Sequence, residues 1–321
     1  MLGIMLLVQL TVAIGAPPTS AEYLPIRLAE SAGLFAREGL AVDVRATRAE
    51  SGAAEALAQG QVDLAATSLE AVLRFGHRAS APLPRIVFGL TAAPPAVLLA
   101  RGEPNPVKSV ADLAGRKLGL ASPGGPEQTW VQAVLARAKL DPTKVDLVSL
   151  GARGVVTALE AGDILAGVLH DPAATRLVET RRATVLVDFR SPRAVADALG
   201  APTLNAAIFV RGDRRPKDAD LAAFARAVLA AERLIATQSA AALAAQLPQP
   251  ILALGNELEP WLEAARGTYL PDGLVSPEAV RHTGEIVQAH LPLPRTLKLS
   301  RLHDMLHLDP LRRALKSRPP A

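Results

Sequence analysis

Cysteine is absent from the 321 residues, and aromatic side chains make up only 3% of them. The first absence excludes disulfides, thiolate metal sites, a cysteine nucleophile and lipid attachment through an N-terminal cysteine. It leaves the compartment open, since many exported proteins carry no disulfide. The second removes the stacking platforms on which single-stranded nucleic acid is held. Charge of one sign is not concentrated either: Lys+Arg 35 and Asp+Glu 31 are mixed along the chain, for a formal net charge of +4, and no nucleic-acid partner is expected. Away from the N-terminus no stretch approaches the ~20 apolar residues of a membrane span. The short signatures of common chemistries are missing too. Ser122–Gln128 (SPGGPEQ) lacks the Gly-Lys-Ser/Thr ending of a phosphate loop, and neither G-x-S-x-G nor G-x-G-x-x-G occurs. His303 and His307 have the spacing of two helical zinc ligands, but HDMLH is not H-E-x-x-H, so no metal site is expected.

What the chain does have is apolar mass: 50% of residues are hydrophobic and 21% charged, enough for a real core, and the length suits two domains. The N-terminal run MLGIMLLVQLTVAIGAPP resembles a signal-peptide core but has no Lys or Arg ahead of it. Val8, Leu10, Val12 and Ile14 alternate with Gln9, Thr11, Ala13 and Gly15, which is strand period. The reading here is a first strand over 8–15 ending in a Gly-Ala-Pro-Pro turn; an export signal upstream of Met1 stays open.

Leu24–Thr67 continues in a helix–strand–helix–strand rhythm. Leu24, Leu28 and Ala32 share one helical face, Pro25 suits a first turn, and Gly33 is placed to stop the helix. Leu40, Val42 and Val44 alternate as a strand. Ala53–Ala58 reads as a helix with Ser51 as candidate N-cap and Gly60 past its end, and Val62, Leu64 and Ala66 alternate again. The rhythm repeats after a proline-punctuated zone holding Pro94, Pro95, Pro104 and Pro106. "ALEAGDILAG" from Ala158 echoes "ALAQGQVDLA" from Ala56. The expected fold is α/β, with two lobes that each hold a mostly parallel sheet flanked by helices and joined by two hinge crossings. Lobe one is expected over 8–100 and 205–321, and lobe two over 101–204.

Two blocks resemble ABC-transporter substrate-binding proteins of the nitrate/sulfonate/taurine type. That family carries A-x-x-x-G-(L/F)-F-x-x-E-G-L-x-V, matched by Ala29, Gly33, Leu34, Phe35, Glu38, Gly39, Leu40 and Val42. It also carries A-L-x-x-G-x-V/I-D-x-A, matched by Ala56, Leu57, Gly60, Val62, Asp63 and Ala65. "VADLAGRKLGLA" is similar to the family's entry into its second domain. The resemblance implies the periplasmic binding protein type II fold and says little about the ligand.

Ligands of open α/β sheets bind beyond the carboxyl ends of the strands, so the candidates lie in the loops there. The first loop offers Ser20, Glu22 and Tyr23; a Thr19-x-x-Glu22 capping box is the plain alternative, and an acid is an odd choice for an anion receptor. The second offers Arg48, Ser51 and Gly52, where a guanidinium could clamp a carboxylate or sulfonate, against a solvated surface arginine. Thr67 and Ser68 end a buried strand where the family places polar ligand contacts, and Thr91 follows another strand end on the hinge side. In lobe two, Gly124, Gly125, Gln128 and Thr129 stand where the family binds ligand at a helix start. Pro126 departs from the family's Gly-Ser or Gly-Thr pair and removes an N–H, which disfavours a compact oxyanion. Trp130 is either an apolar wall of the cleft or core. His170 and Asp171 end a further strand, as ligand contacts or as a turn.

The leading expectation is a receptor that captures a small anionic or aromatic organic ligand between the lobes, with no catalytic residue and no cofactor. It would act as a monomer in the periplasm or otherwise outside the cytoplasm, and deliver the ligand to an ABC permease and its ATPase. The alternatives are a biosynthetic enzyme on the same fold and a sensing domain acting through a partner. Enzymes of thiamine-pyrimidine synthesis on this architecture use a histidine and a cysteine-rich stretch, and this chain has no cysteine.

Overall fold

The computed structural model describes residues 7–15, 17–76, 82–121, 125–295 and 297–317. Ten strands among them build two sheets: β1 (Val8–Ile14), β2 (Leu40–Ala46), β3 (Leu64–Ser68), β4 (Arg85–Gly89), β5 (Ala96–Arg101), β6 (Lys117–Leu120), β7 (Asp146–Ser149), β8 (Ala166–His170), β9 (Ala183–Asp188) and β10 (Ala206–Val210). The orders are β2-β1-β3-β10-β4 and β7-β6-β8-β5-β9. In each sheet four strands run one way and a single strand, β10 or β5, is antiparallel to both of its neighbours.

The two windings are therefore the same, and the reversed strand is in each case the one that crosses the hinge. The short sequence echo falls on matching places. Helices α1 (Leu24–Ser31), α2 (Leu34–Arg37), α3 (Glu50–Gln59), α4 (Leu69–Phe75), α5 (Pro126–Arg137) and α6 (Gly151–Ala161) follow the strands of the two lobes. α3 ends at Gly60 (φ 71°) before β3, and α6 ends at Gly162 (φ 85°) before β8. Both glycines take the left-handed turn that closes a helix and that side chains with a Cβ disfavour.

Residues 8–14 pair with β2 on one side and β3 on the other, so this stretch is structural sheet, in keeping with its period-2 pattern. The expected lobe boundary at 100/101 needs correction. β5 is buried over Ala96–Ala100 and pairs with β8 and β9, so the chain changes lobe at 90–95, ahead of Pro104 and Pro106. A strand apolar on both faces needs neighbours on both sides, and only the second sheet supplies them. The outgoing and returning crossings lie side by side: Thr91 N–H donates to Ala206 O at 3.1 Å and Asn205 N–H to Thr91 O at 2.8 Å.

The remaining helices are α7 (Ala173–Glu179), α8 (Pro192–Leu199), α9 (Asp218–Thr237), α10 (Ala240–Leu243), α11 (Gln249–Leu252), α12 (Leu258–Arg266), α13 (Pro277–His290) and α14 (Asp309–Lys316). The α9 stripe of Leu221, Phe224, Val228, Leu229 and Ile235 is buried as its periodicity predicts, with Phe224 stacked on Phe35 at 4.8 Å between ring centroids. α13 ties the lobes together. Its Val280 lies in the first lobe's core, its Ile286 in the second's, and Thr283 Oγ1 accepts the Leu204 N–H of the return crossing at 2.8 Å.

Candidate functional site

Between the lobes lies a cleft of about 840 Å3. Its walls are the carboxyl ends of β1, β2 and β3 on one side and of β6, β8 and β9 on the other, with Pro94 and Pro95 at the hinge and Leu254 and Trp261 closing one flank. Gly15 permits the close approach that shapes the first wall: a Cβ there would stand 2.7 Å from the Glu50 Cα.

The helix starts facing this space share a pattern. Glu22 in the single 3-10 turn Ala21–Tyr23, Glu50 in α3, Glu70 in α4 and Glu127 in α5 each occupy a first turn, where the helix macrodipole favours a carboxylate. All of them line the cleft, as does Asp171.

Glu50 is the most heavily hydrogen-bonded. It accepts from Tyr23 Oη at 2.7 Å, from Thr67 Oγ1 at 3.0 Å and from the Ser68 N–H. Burial pushes its carboxyl above the usual range, against those donors. Glu22 is 8% exposed and accepts from Ser20 Oγ at 3.1 Å and from the Asn205 amide. Burial, then the charge of Glu50, raises it to about 8, with His170 and Ser20 opposing. Glu70 accepts from Thr129 Oγ1 at 2.9 Å and from Arg74 at 3.1 Å, and burial raises its carboxyl above the usual value.

The second wall is built on pairs. His170 Nε2 lies 2.6 Å from Glu127 and its Nδ1 3.1 Å from the Pro95 carbonyl. Burial disfavours the imidazolium, but the Glu127 hydrogen bond and charge outweigh it, helped by Glu22 and Pro95, and raise His170 to about 9. For Glu127 the same partner overcomes burial and lowers its carboxyl. A carbonyl at Nδ1 and a carboxylate at Nε2 match the doubly protonated ring, in which both nitrogens donate. Arg190 donates to Asp188 at 2.8 Å, to Asp171 at 3.0 Å and to Thr175 at 3.0 Å.

Of the residues expected from the sequence, Ser20, Glu22, Arg48, Ser51, Ser68, Gly125, His170 and Asp171 line the cleft. Tyr23 and Thr67 are buried behind it and act through Glu50. Thr129 is buried between the lobes, Thr91 is buried in the hinge, and Trp130 belongs to the second lobe's core. The wall tryptophan is instead Trp261. Gly52, in α3, packs on Thr47, and Gln128 is not among the lining residues. Gly124 lies outside the described residues.

Two local expectations are corrected. α3 begins at Glu50 after Ala49, so Ser51 sits inside the first turn rather than capping it. Glu22 bonds to Ser20 rather than closing a box with Thr19. Glu50, Glu70, Glu127, Arg190 and Trp261 escaped the sequence reading. The signal for the acids was present: each glutamate falls in the first helical turn after a strand.

Five-stranded mixed sheets wound alike around a cleft define the two-lobe periplasmic binding protein fold, as the resemblance of the sequence blocks implied. The chain belongs to the NMT1/THI5-like family, whose model matches residues 20–241. Among solved structures it is similar to a protein of Bordetella bronchiseptica RB50, 24% identical with 98% of each chain covered and a TM-score of 0.75. The periplasmic aliphatic sulphonate binding protein SsuA from Escherichia coli is 20% identical, with 92% of this chain and 99% of that one covered and a TM-score of 0.68. The periplasmic nitrate-binding protein NrtA from Synechocystis PCC 6803 is 13% identical, with 97% and 89% covered and a TM-score of 0.60. No curated protein matches the chain.

Proposed function

We propose that this protein is a solute-binding receptor that closes its two lobes on a small organic ligand and hands it to an ABC permease driven by its ATPase. The observation that carries this reading is the cleft itself. About 840 Å3 is bounded by the strand ends of both lobes, beside a hinge of two adjacent crossings. That volume lies within the usual range for small-molecule sites. The same fold in SsuA and NrtA, whose names describe periplasmic sulphonate and nitrate binding, supports a location outside the cytoplasm and a transport role.

Binding rather than turnover is favoured by the state of His170. Both of its ring nitrogens are engaged, one by the Pro95 carbonyl and one by Glu127, which leaves no free ring nitrogen to act as a general base on a ligand. The contacts expected to hold ligand are Ser20, Glu22, Arg48, Ser51, Ser68, Gly125, His170 and Asp171, with Trp261 as the apolar flank.

Isothermal titration against a library of small organic acids, amines and heterocycles tests the reading, followed by small-angle scattering with each binder. A stoichiometric complex that compacts the molecule and returns the ligand unchanged is expected. Conversion of a binder into product, with no compaction, would overturn it.

A further inference from the structure

Three of the donors at the first wall, which a ligand oxyanion would seek, are already taken. The Ser68 N–H at the start of α4, the Thr67 hydroxyl and the Tyr23 hydroxyl converge on the Glu50 carboxyl. Across the cleft, Pro126 contributes no N–H at the start of α5 and Glu127 occupies its first turn. The cations are also engaged: Arg74 with Glu70, His170 with Glu127, and Arg190 with Asp171 and Asp188. Arg48 is exposed and has no ion-pair partner among the described residues.

The acids do not balance in the same way. Five carboxyl side chains and four basic ones line the cleft. Glu70, Glu127 and Asp171 have cationic partners. Glu22 and Glu50 have hydrogen bonds from neutral groups only: Ser20 and Asn205 for the first, Tyr23, Thr67 and Ser68 for the second. His170 is the cation whose charge reaches Glu22, and its ring is already held by Glu127. Two neighbouring carboxyls with no ion pair of their own repel one another as they ionise, and a positive group between them would relieve both.

Resting on the receptor reading, we propose that the cleft takes a small organic cation rich in N–H donors, an amine or amidinium. Glu22 supplies its counter-charge, and Glu50 fills the seat that an anionic ligand would need. Trp261, largely buried in the first lobe's core, reaches the same lining and adds apolar surface for the body of such a ligand.

The test is calorimetric titration of the full chain with benzamidinium, its neutral isostere benzamide, ethanesulfonate and nitrate. Benzamidinium is expected to bind at least about tenfold tighter than the other three. Glu22→Gln keeps the shape of the side chain and is expected to erase that advantage. Glu50→Ala frees the Ser68, Thr67 and Tyr23 donors and is expected to gain ethanesulfonate binding; the wild-type ranking and Glu22→Gln decide the matter should that variant fail to fold. Tighter binding of ethanesulfonate or nitrate than of benzamidinium by the wild-type chain overturns the cation assignment and leaves the receptor reading standing. Heat from none of the probes, together with no binder in the wider library, overturns both.

Discussion

Thr129 Oγ1 donates to Glu70 Oε2 at 2.9 Å, and this single buried hydrogen bond joins α5 of the second lobe to α4 of the first. Glu70 also lines the cleft, so opening the lobes there would break this bond. Thr129→Val keeps the shape and removes the donor. A loss of about 1–2 kcal/mol in chemical denaturation is expected, with a more open ligand-free molecule. Scattering curves of the two proteins, matched for concentration, check the second half.

Tyr23 is buried behind the cleft and bonded to Glu50. Its hydroxyl is a buried donor to that carboxyl at 2.7 Å, so Tyr23→Phe leaves one oxygen short of a partner. About 1.5–3 kcal/mol of stability should go, the range for a hydrogen bond to a charged group. A urea midpoint unchanged from wild type would mean that the hydroxyl is not a structural donor.

Glu22 makes cation binding pH-dependent. Its carboxyl, raised to about 8, faces Glu50, Glu127 and His170, with Tyr23 and Tyr269 also near it. Near neutral pH it is mostly protonated in the free cleft, and a bound cation lowers its pKa and expels the proton. Affinity for benzamidinium should therefore rise with pH towards about 8 and level off above it. Titrations in buffers of different ionisation enthalpy at neutral pH should report proton release, and Glu22→Gln should abolish it. Linkage gives a companion expectation for stability. A carboxyl raised in the folded state contributes fully below its ordinary value of 4.5 and loses that contribution as pH climbs to about 8. Over that window the melting temperature of the Gln variant should fall less than that of wild type.

The His170–Glu127 pair has the opposite signature at its acid end. His170, raised from 6.5 to about 9, contributes fully below 6.5 and fades as pH passes about 9. Glu127, lowered from 4.5, contributes above 4.5 and fades as pH falls further. The pair is thus strongest between 4.5 and 6.5. His170→Gln should lower the melting temperature most in that interval, and the two proteins should converge above about 9. A difference independent of pH would assign His170 a packing role instead.

Gly15 limits how the first wall can be built. An added Cβ would meet the Glu50 Cα at 2.7 Å and Thr67 Oγ1 at 3.1 Å; the first is helix backbone that cannot swing away, and the second is a side-chain hydroxyl held by its hydrogen bonds to Glu50. Gly15→Ala should cost about 1–3 kcal/mol and weaken every ligand of the cleft together. Parallel denaturation and titration of the variant measure both effects.

Much of the fold was legible because its determinants are local. Alternation marked β1 and β2, the apolar stripe marked α9, and glycines at 33, 60 and 162 take the left-handed turns that end or join helices. The echo between Ala56 and Ala158 reflected equal windings, since both segments feed the third strand of their sheet. The strand ends were likewise good guides to the cleft, because parallel winding carries them to one edge.

The sequence by itself determined the two α/β lobes and the strand-end loops, both of which depend on residues close along the chain. Only the tertiary structure decided which lobe β5 joins, because its pairing partners lie more than sixty residues away. It also decided that Tyr23 and Thr67 serve Glu50, that Trp261 rather than Trp130 flanks the cleft, and that Glu22 and Glu50 accept hydrogen bonds from neutral groups alone while the other cleft acids form ion pairs. Charge balance in a closed space depends on distance and burial, and neither is written in the order of residues.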